Sequence, residues 1–202
     1  MHPGLLIAFE GIDGTGKSTQ LPLLAAYLRD RGYTVVETKE PTDGLYGQRI
    51  RTLYRDRNRS TPEQELDLFL LDRRQHVAEC IRPALDRGEI VLTDRYYFST
   101  AAYQGAAGCD PAHIFARHDF APAPDMVLLL TQPVAESIAR IRNLRGETLN
   151  DFEQQEQLEK VAALFASFSH SCIVRIHAVL STEEVRSSIR AAVQQLFARK
   201  GI

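Results

Sequence analysis

Residues 5–20 read Leu5-Leu6-Ile7-Ala8-Phe9-Glu10-Gly11-Ile12-Asp13-Gly14-Thr15-Gly16-Lys17-Ser18-Thr19-Gln20, and this stretch decides the fold. A short, continuously apolar run ending at Glu10 predicts a strand covered on both faces. Gly11 to Gly16 is a turn. From Lys17 onward, Leu21, Leu24, Ala25 and Leu28 repeat at helical spacing, and Gly32 stops the helix. The segment Gly11-Ile12-Asp13-Gly14-Thr15-Gly16-Lys17-Ser18 fits the full phosphate-loop pattern in the strand–loop–helix setting that the pattern requires. Its glycines let successive N–H groups turn inward around an anion, and the helix start adds its positive end. The expectation is a triphosphate site running from Gly11 to Thr19. Lys17 reaches the terminal phosphates and Ser18 holds a magnesium ion. The loop alone does not name the acceptor, because motor and switch proteins use it too.

Working outward, apolar strand runs recur at Tyr33–Thr38, Ile90–Thr93, Met126–Leu130 and Cys172–Ile176. Helical patterns separate them. A short helix is predicted near Leu45 to Tyr54. Thr61-Pro62-Glu63-Gln64 is a capped helix start leading into Leu66, Leu70, Val77 and Ile81, with a kink at Pro83. Further helices are predicted over Ser99–Gln104, Pro111–Phe120, Pro133 to about Arg142, a stretch through Leu158 and Phe165, and a last one through Val185, Ile189, Val193 and Leu196. Strands alternating with helices predict one α/β domain over residues 1–202, with a parallel sheet between two helical layers. No repeat or linker interrupts it. The polar residues at about 142–151 are the candidate mobile flap.

Composition narrows the partners. Of 202 residues, 44% are hydrophobic, enough for a substantial core. The net charge is −2 and no long basic run occurs, which argues against nucleic acid or an anionic membrane as partner. No apolar run approaches the ~20 residues that span a bilayer, and the N-terminus lacks a signal-peptide pattern, so the expected location is cytoplasmic. The three cysteines, Cys80, Cys109 and Cys172, are too few and too widely spaced for a disulfide framework or a zinc site; they read as free, buried thiols.

Several charged residues lie where a parallel sheet collects ligands, at the strand ends. Asp94-Arg95 follows the third strand. Arg95 offers a rigid fork for a phosphate, and Asp94 a partner for a magnesium-bound water; a surface ion pair is the plainer alternative. Asp13, inside the phosphate loop, is either a contact for an acceptor hydroxyl or magnesium water, or an Asx turn. Phe69 and Arg73 share a helix face and suit a base pocket, against a core ring beside a solvated arginine. Lys39-Glu40-Pro41-Thr42 reaches the same sheet edge, where Lys39 meets a phosphate or serves as an ordinary loop charge. Arg140, Arg142 and Arg145 flank the flap, either to neutralise charge on a transferred group or as a solvated helix end.

Taken together, the chain resembles the thymidylate kinases. The resemblance rests on residues 9–20; Glu40-Pro41; Phe69 with Asp72-Arg73 and Gln75-His76-Val77; Pro83-Ala84-Leu85 with Gly88; Asp94-Arg95-Tyr96 with Ser99 and Ala102-Tyr103-Gln104-Gly105; Pro124-Asp125; and Phe152-Glu153. It implies a five-stranded parallel P-loop NTPase fold, ATP and Mg2+ as donor and cofactor, dTMP as small-molecule acceptor, and a homodimer. It also implies that Phe69 stacks on the thymine, Arg73 bonds a base carbonyl, Thr100 lies near the base edge, and Ser99 belongs to the substrate-binding set. Tyr103 would lie by the sugar, Gln104 would line the pocket, Arg95 would hold the acceptor phosphate, and Asp13 would serve as the loop carboxylate.

Three segments depart from the family pattern. Lys39-Glu40-Pro41-Thr42-Asp43-Gly44 replaces Arg-Glu-Pro-Gly-Gly-Thr, keeping a charge but losing a bidentate fork. Ala106-Ala107-Gly108-Cys109 carries no arginine, and Asn150-Asp151 stands where Asp-Arg is common. With no basic residue between Gly11 and Gly16, the resemblance assigns the catalytic flap arginine to Arg142 or Arg145. These departures leave two rivals: a related P-loop kinase for another nucleotide or nucleoside, and a P-loop regulatory protein that binds triphosphate.

Overall fold

The computed structural model describes residues 4–53, 60–145 and 154–202, and the side chains of 144 and 145 lie outside that description. The strands are β1 (Leu5–Glu10), β2 (Val35–Lys39), β3 (Ile90–Asp94), β4 (Met126–Thr131) and β5 (Ile173–His177). They form one sheet in the order β2-β3-β1-β4-β5. Every pairing is parallel, with β1 in the centre: Leu5 pairs with Ile90 and Ile7 with Met126. The expected five-stranded parallel sheet is present, with helices on both faces.

The two faces follow from the period of 2 along each strand. Leu6, Ala8, Val91, Val127 and Leu129 point to one core, with α2 (Leu45–Leu53), α3 (Pro62–His76), α5 (Tyr97–Ala106) and α8 (Gln155–Ser167) over it. Leu5, Ile7, Phe9, Ile90, Leu92, Leu128 and Leu130 point to the other core, covered by α1 (Lys17–Arg29) and α9 (Thr182–Lys200). The remaining helices are α4 (Arg82–Asp86), α6 (Pro111–Ala116) and α7 (Val134–Arg145).

Helix boundaries have local causes. Thr61 and Gln64 cap α3 reciprocally, and Ser181 and Glu184 do the same for α9. Between α3 and α4 the chain widens into a π-helical turn, Val77–Ile81, where Arg82 N donates five residues back to Val77 O. Pro83 follows at once; a proline ring crowds the carbonyl four residues earlier, and the wider turn makes room for it. The helix expected over Pro111–Phe120 stops at Ala116. His118 explains the stop: its Nδ1 takes Ile114 O at 2.7 Å, the carbonyl its own amide would need in a continuing α-helix, and that amide turns to Phe115 O. The second strand begins at Val35 rather than Tyr33 and runs on to Lys39. Cys80, Cys109 and Cys172 form no disulfide among the described residues, and each is half-buried rather than buried as expected. Of the flap expected at about 142–151, residues 142–145 belong to α7 and 146–151 lie outside the described residues.

Gly47 shows how tightly α2 packs on the loop after β2. A Cβ on Gly47 would stand 1.9 Å from Thr42 O. Glycine to alanine inside a helix ordinarily stabilises by about 0.5–1 kcal/mol. At this position the sign reverses, because the obstacle is backbone. Gly47→Ala should lower the unfolding free energy by at least ~1 kcal/mol in urea titrations; an unchanged or higher value would show that the loop gives way freely.

Candidate active site

The carboxyl ends of all five strands meet along one edge, and a cleft of about 900 Å³ opens there. The phosphate loop forms its floor. Gly11, Gly14 and Gly16 have φ of 128°, 81° and 93°, a region that L side chains rarely adopt. Gly14 is doubly constrained: a Cβ there would stand 2.5 Å from Ser137 O on α7. Lys17 curls back over the loop and donates to Gly11 O at 3.0 Å and Ile12 O at 2.9 Å. Burial, then the charge of Arg95, lowers its pKa. Thr15 also donates to Ile12 O, while Ser18 and Thr19 stand exposed at the start of α1.

Asp94 and Arg95 leave β3 into the same cleft. Arg95 is the one non-glycine residue at positive φ among the described residues, at 76°. That conformation costs roughly 1–2 kcal/mol, and neighbouring hydrogen bonds hold it. Arg95 N donates to Phe9 O, Thr93 Oγ1 donates to Arg95 O, and Tyr96 N donates to Glu10. The turn sends the guanidinium back over the phosphate loop. It donates to Asp13 Oδ1 and Ser99 Oγ, each at 2.8 Å, and to the Tyr103 hydroxyl at 3.3 Å. Tyr103 in turn donates to Asp13 Oδ2. Asp94 Oδ1 is buried and has no hydrogen-bond partner among the described residues.

Glu10 anchors this arrangement from beneath. It is fully buried and accepts from Tyr96 N, Ser99 N and Ser99 Oγ. Burial outweighs those bonds and raises its pKa to about 7.

A second network joins α3 to the loop after β2 and to α5. Arg73 is 2% exposed, and its guanidinium donates to Glu40, Thr100 Oγ1 and His118 Nε2. His76 bonds Glu40 through Nδ1 and Thr38 through Nε2. Burial alone would raise the Glu40 pKa, but Arg73 and His76 outweigh it and hold the carboxyl below its usual range. Asp72 accepts from both the amide and the hydroxyl of Thr42. Lys39 lines the cleft and pairs with Asp43 at 3.2 Å.

The expected residues thus sort by place. Asp13, Lys17, Ser18, Lys39, Asp94 and Arg95 line the cleft together. Ser99 and Tyr103 bind Arg95 from one side of α5, and Thr100 binds Arg73 from the other. Phe69 is half-buried, whereas its neighbours on α3, Leu66 and Leu70, are in the core. Gln104 is wholly buried beside Glu65. Arg142 is exposed on α7; on that helix Arg140 lines the cleft, with Nη2 on Ala178 O at 2.9 Å. The Arg145 side chain is outside the described residues. Reading the sequence missed three residues. Arg51 lines the cleft while holding Pro41 O, Thr42 O and Asp43. Gln132 ties Gly14 O to Ser137 Oγ, and His118 holds Arg73. None of the three sits in a patterned motif.

A phosphate loop at the centre of a parallel sheet, sharing one cleft with Lys39, Arg51 and Arg95, defines a P-loop phosphotransferase. Residues 9–189 match the protein family described as Thymidylate kinase. The chain is 54% identical over 195 residues to the thymidylate kinase of Desulfotalea psychrophila, covering 96% of each. It is 46% identical to the thymidylate kinase of Akkermansia muciniphila, covering 96% of this chain and 93% of that one. It is 40% identical to a probable thymidylate kinase of Pyrococcus horikoshii, covering 95% and 96%. The chain belongs to the thymidylate kinase family.

Glu10 gives the site a measurable pH signature. The folded protein keeps this proton up to about pH 7, while an unfolded chain releases it near 4.5. Between those values folding retains a proton that the unfolded chain has lost, so this group makes the fold less stable as pH rises through that window. Glu10→Gln should remove that slope. Urea titrations at about pH 5 and about pH 8 should show the variant gaining on the wild type by roughly 1–3 kcal/mol; a gain toward low pH would contradict the assignment.

Proposed function

We propose that this chain transfers the γ-phosphoryl group of ATP to dTMP, giving dTDP and ADP. Family membership supports the reaction. The observation that carries the acceptor end is Arg95, locked by Asp13, Ser99 and Tyr103 so that a fixed cation stands against the donor loop inside the cleft.

In this reading the backbone of residues 11–19 and Lys17 hold the triphosphate. Arg95, with Lys39 and Arg51 nearby, receives the acceptor phosphate. One acceptor oxygen attacks the γ-phosphorus in line; that O–P bond forms as the bond from the γ-phosphorus to the β,γ-bridging oxygen breaks, and ADP leaves. A phosphate monoester is already largely ionised near neutral pH, with its second pKa near ~6, so no strong base is needed. The protein positions two anions and cancels their repulsion. Asp13 keeps Arg95 aimed.

Ser18, exposed in the cleft, and Asp94, with its buried and unpartnered Oδ1, fit a hydrated Mg2+. When bound, that ion would neutralise charge on the β- and γ-phosphates. Phe69 and Arg73 are assigned to the thymine, Thr100 and Gln104 to the base pocket, and Tyr103 to the sugar. Arg142 or Arg145 is assigned to the transferred group from a flap that closes over the single domain and excludes water. Among the described residues no helix is long and apolar enough to cross a membrane. A cytoplasmic homodimer completes the reading.

An acceptor panel with ATP and Mg2+ tests the proposal. dTMP should give the highest kcat/KM; dUMP or a nucleoside far ahead of it would overturn the acceptor assignment. Lys17→Ala and Arg95→Ala should each slow dTMP phosphorylation at least ~100-fold, roughly 3 kcal/mol of transition-state stabilisation. Near-normal rates in both would remove the assigned site. Phe69→Ala should act on the acceptor KM, and an unchanged KM would return that ring to a packing role.

A further inference from the structure

A guanidinium carries five N–H groups, and four of those on Arg73 have partners. Nε and Nη2 both donate to one oxygen, Oε2 of Glu40. Nη1 donates to Thr100 Oγ1 at 3.0 Å and to Nε2 of His118. Two bonds converging on one carboxylate oxygen make it a pivot about which the guanidinium can still swing, and the Tyr96 ring, with its centroid 5.2 Å from Cζ, packs on the group but offers it no in-plane acceptor. The Thr100 hydroxyl can rotate to follow such a swing. His118 cannot. Its Nδ1–H donates to Ile114 O at 2.7 Å, and its ring lies between Tyr97 and Phe120, with centroids 5.8 Å and 6.0 Å away.

The Nδ1–H bond also fixes the tautomer, so Nε2 presents a lone pair to Arg73. His118 is 3% exposed, and burial, then the charge of Arg73, lowers its pKa to about 3. It is therefore an uncharged acceptor. A carboxylate in its place would give Arg73 a second counter-ion, and a cation would repel it. A neutral imidazole does neither and still fixes the plane.

We propose that His118 is a positioning residue for base recognition, aiming the remaining Nη2 hydrogen of Arg73 at an exocyclic carbonyl of the acceptor pyrimidine. The inference rests on the assignment of Arg73 to the base made above. It explains why a polar ring occupies a buried position at the end of a short helix. It also extends the acceptor site to the turn that follows α6.

The chemistry supplies a selective readout. Thymine has a carbonyl at position 4, whereas cytosine has an amino group there. A donor aimed at that position favours the first and is opposed by the second. The ratio of kcat/KM for dTMP over dCMP therefore reports the aim of Arg73, and a general packing defect would lower both values alike.

The experiment measures this ratio in wild type, His118→Met, His118→Gln and Arg73→Lys, with thermal melts of each. Methionine fills the space without an acceptor of comparable strength. Glutamine keeps an amide oxygen for Arg73 and an N–H for Ile114 O. His118→Met should reduce the ratio at least ~10-fold, mainly through the KM for dTMP, and His118→Gln should hold it within about 3-fold of wild type. A ratio unchanged in His118→Met, or one that falls as far in His118→Gln, overturns the proposal. If Arg73→Lys lowers the ratio while His118→Met does not, the positioning role alone fails. If Arg73→Lys also leaves it unchanged, the base-reading assignment of Arg73 fails with it. Should His118→Met not fold, His118→Asn, whose shorter amide reaches only one of the two partners, takes its place with the same two outcomes.

Discussion

Cations that wait inside a protein for anionic substrates must be satisfied before the substrates arrive, and this site is organised by that requirement. Lys17 is 5% exposed and Arg73 2%. An unpaired buried charge costs several kcal/mol. Each cation meets the cost differently. Lys17 leans on two loop carbonyls, which hold it without neutralising it. Arg95 takes one carboxylate, Asp13, with two hydroxyls and the Gly11 carbonyl. Arg73 takes one carboxylate, Glu40, with a hydroxyl and a neutral imidazole. The graded supply of counter-charge leaves Lys17 the least compensated, at the place assigned to the most highly charged substrate.

The backbone carries part of the same design. Arg95 must turn back from the end of β3 toward a loop that follows β1, and the sheet puts those two strands side by side. The turn needs a left-handed residue at an arginine, and Glu10 supports it by accepting the two amides that follow, Tyr96 N and Ser99 N. One helix, α5, then serves two cations from adjacent positions. Ser99 and Tyr103 are one turn apart and meet Arg95, while Thr100, the neighbour of Ser99, meets Arg73. Any rotation of α5 would shift both cations together, so the Arg95 and Arg73 networks are mechanically joined.

How much of this was legible in the sequence depends on whether a residue's signal is local. The phosphate loop, the buried strands and the cap of α3 are written in consecutive residues, and they were read with nearly the right bounds. The Asp94-Arg95 pair could be placed because a strand end fixes where its next residue lies. Partners that meet only through the tertiary fold left no such trace. His118 is 45 residues from Arg73. Its side chain also ended α6 early, which a reading by periodicity extended to Phe120. Arg51 looks like a solvated charge on a short helix until the loop after β2 folds beneath it. The half-buried cysteines show the opposite error: a residue type usually found inside was placed there without a local reason.

The segment after β2 is one of the three that depart from the thymidylate kinase pattern, and the structure shows how the loop is held there. Flexible glycines are replaced by Thr42 and Asp43. Thr42 is gripped twice by Asp72, at 2.8 Å and 2.6 Å, and Gly47 closes against its carbonyl. Arg51 binds the carbonyls of Pro41 and Thr42. The loop is therefore held by side chains from α3 and α2, and Lys39 is left free of that task. Its bond to Asp43 is between side chains 58% and 78% exposed, where an ion pair contributes little. An arriving phosphate dianion would have to break only that weak pair to recruit Lys39. A lysine can follow such an anion on its flexible stem, whereas an arginine would demand a fixed fork geometry. The substitution thus trades bidentate precision at one position for reach.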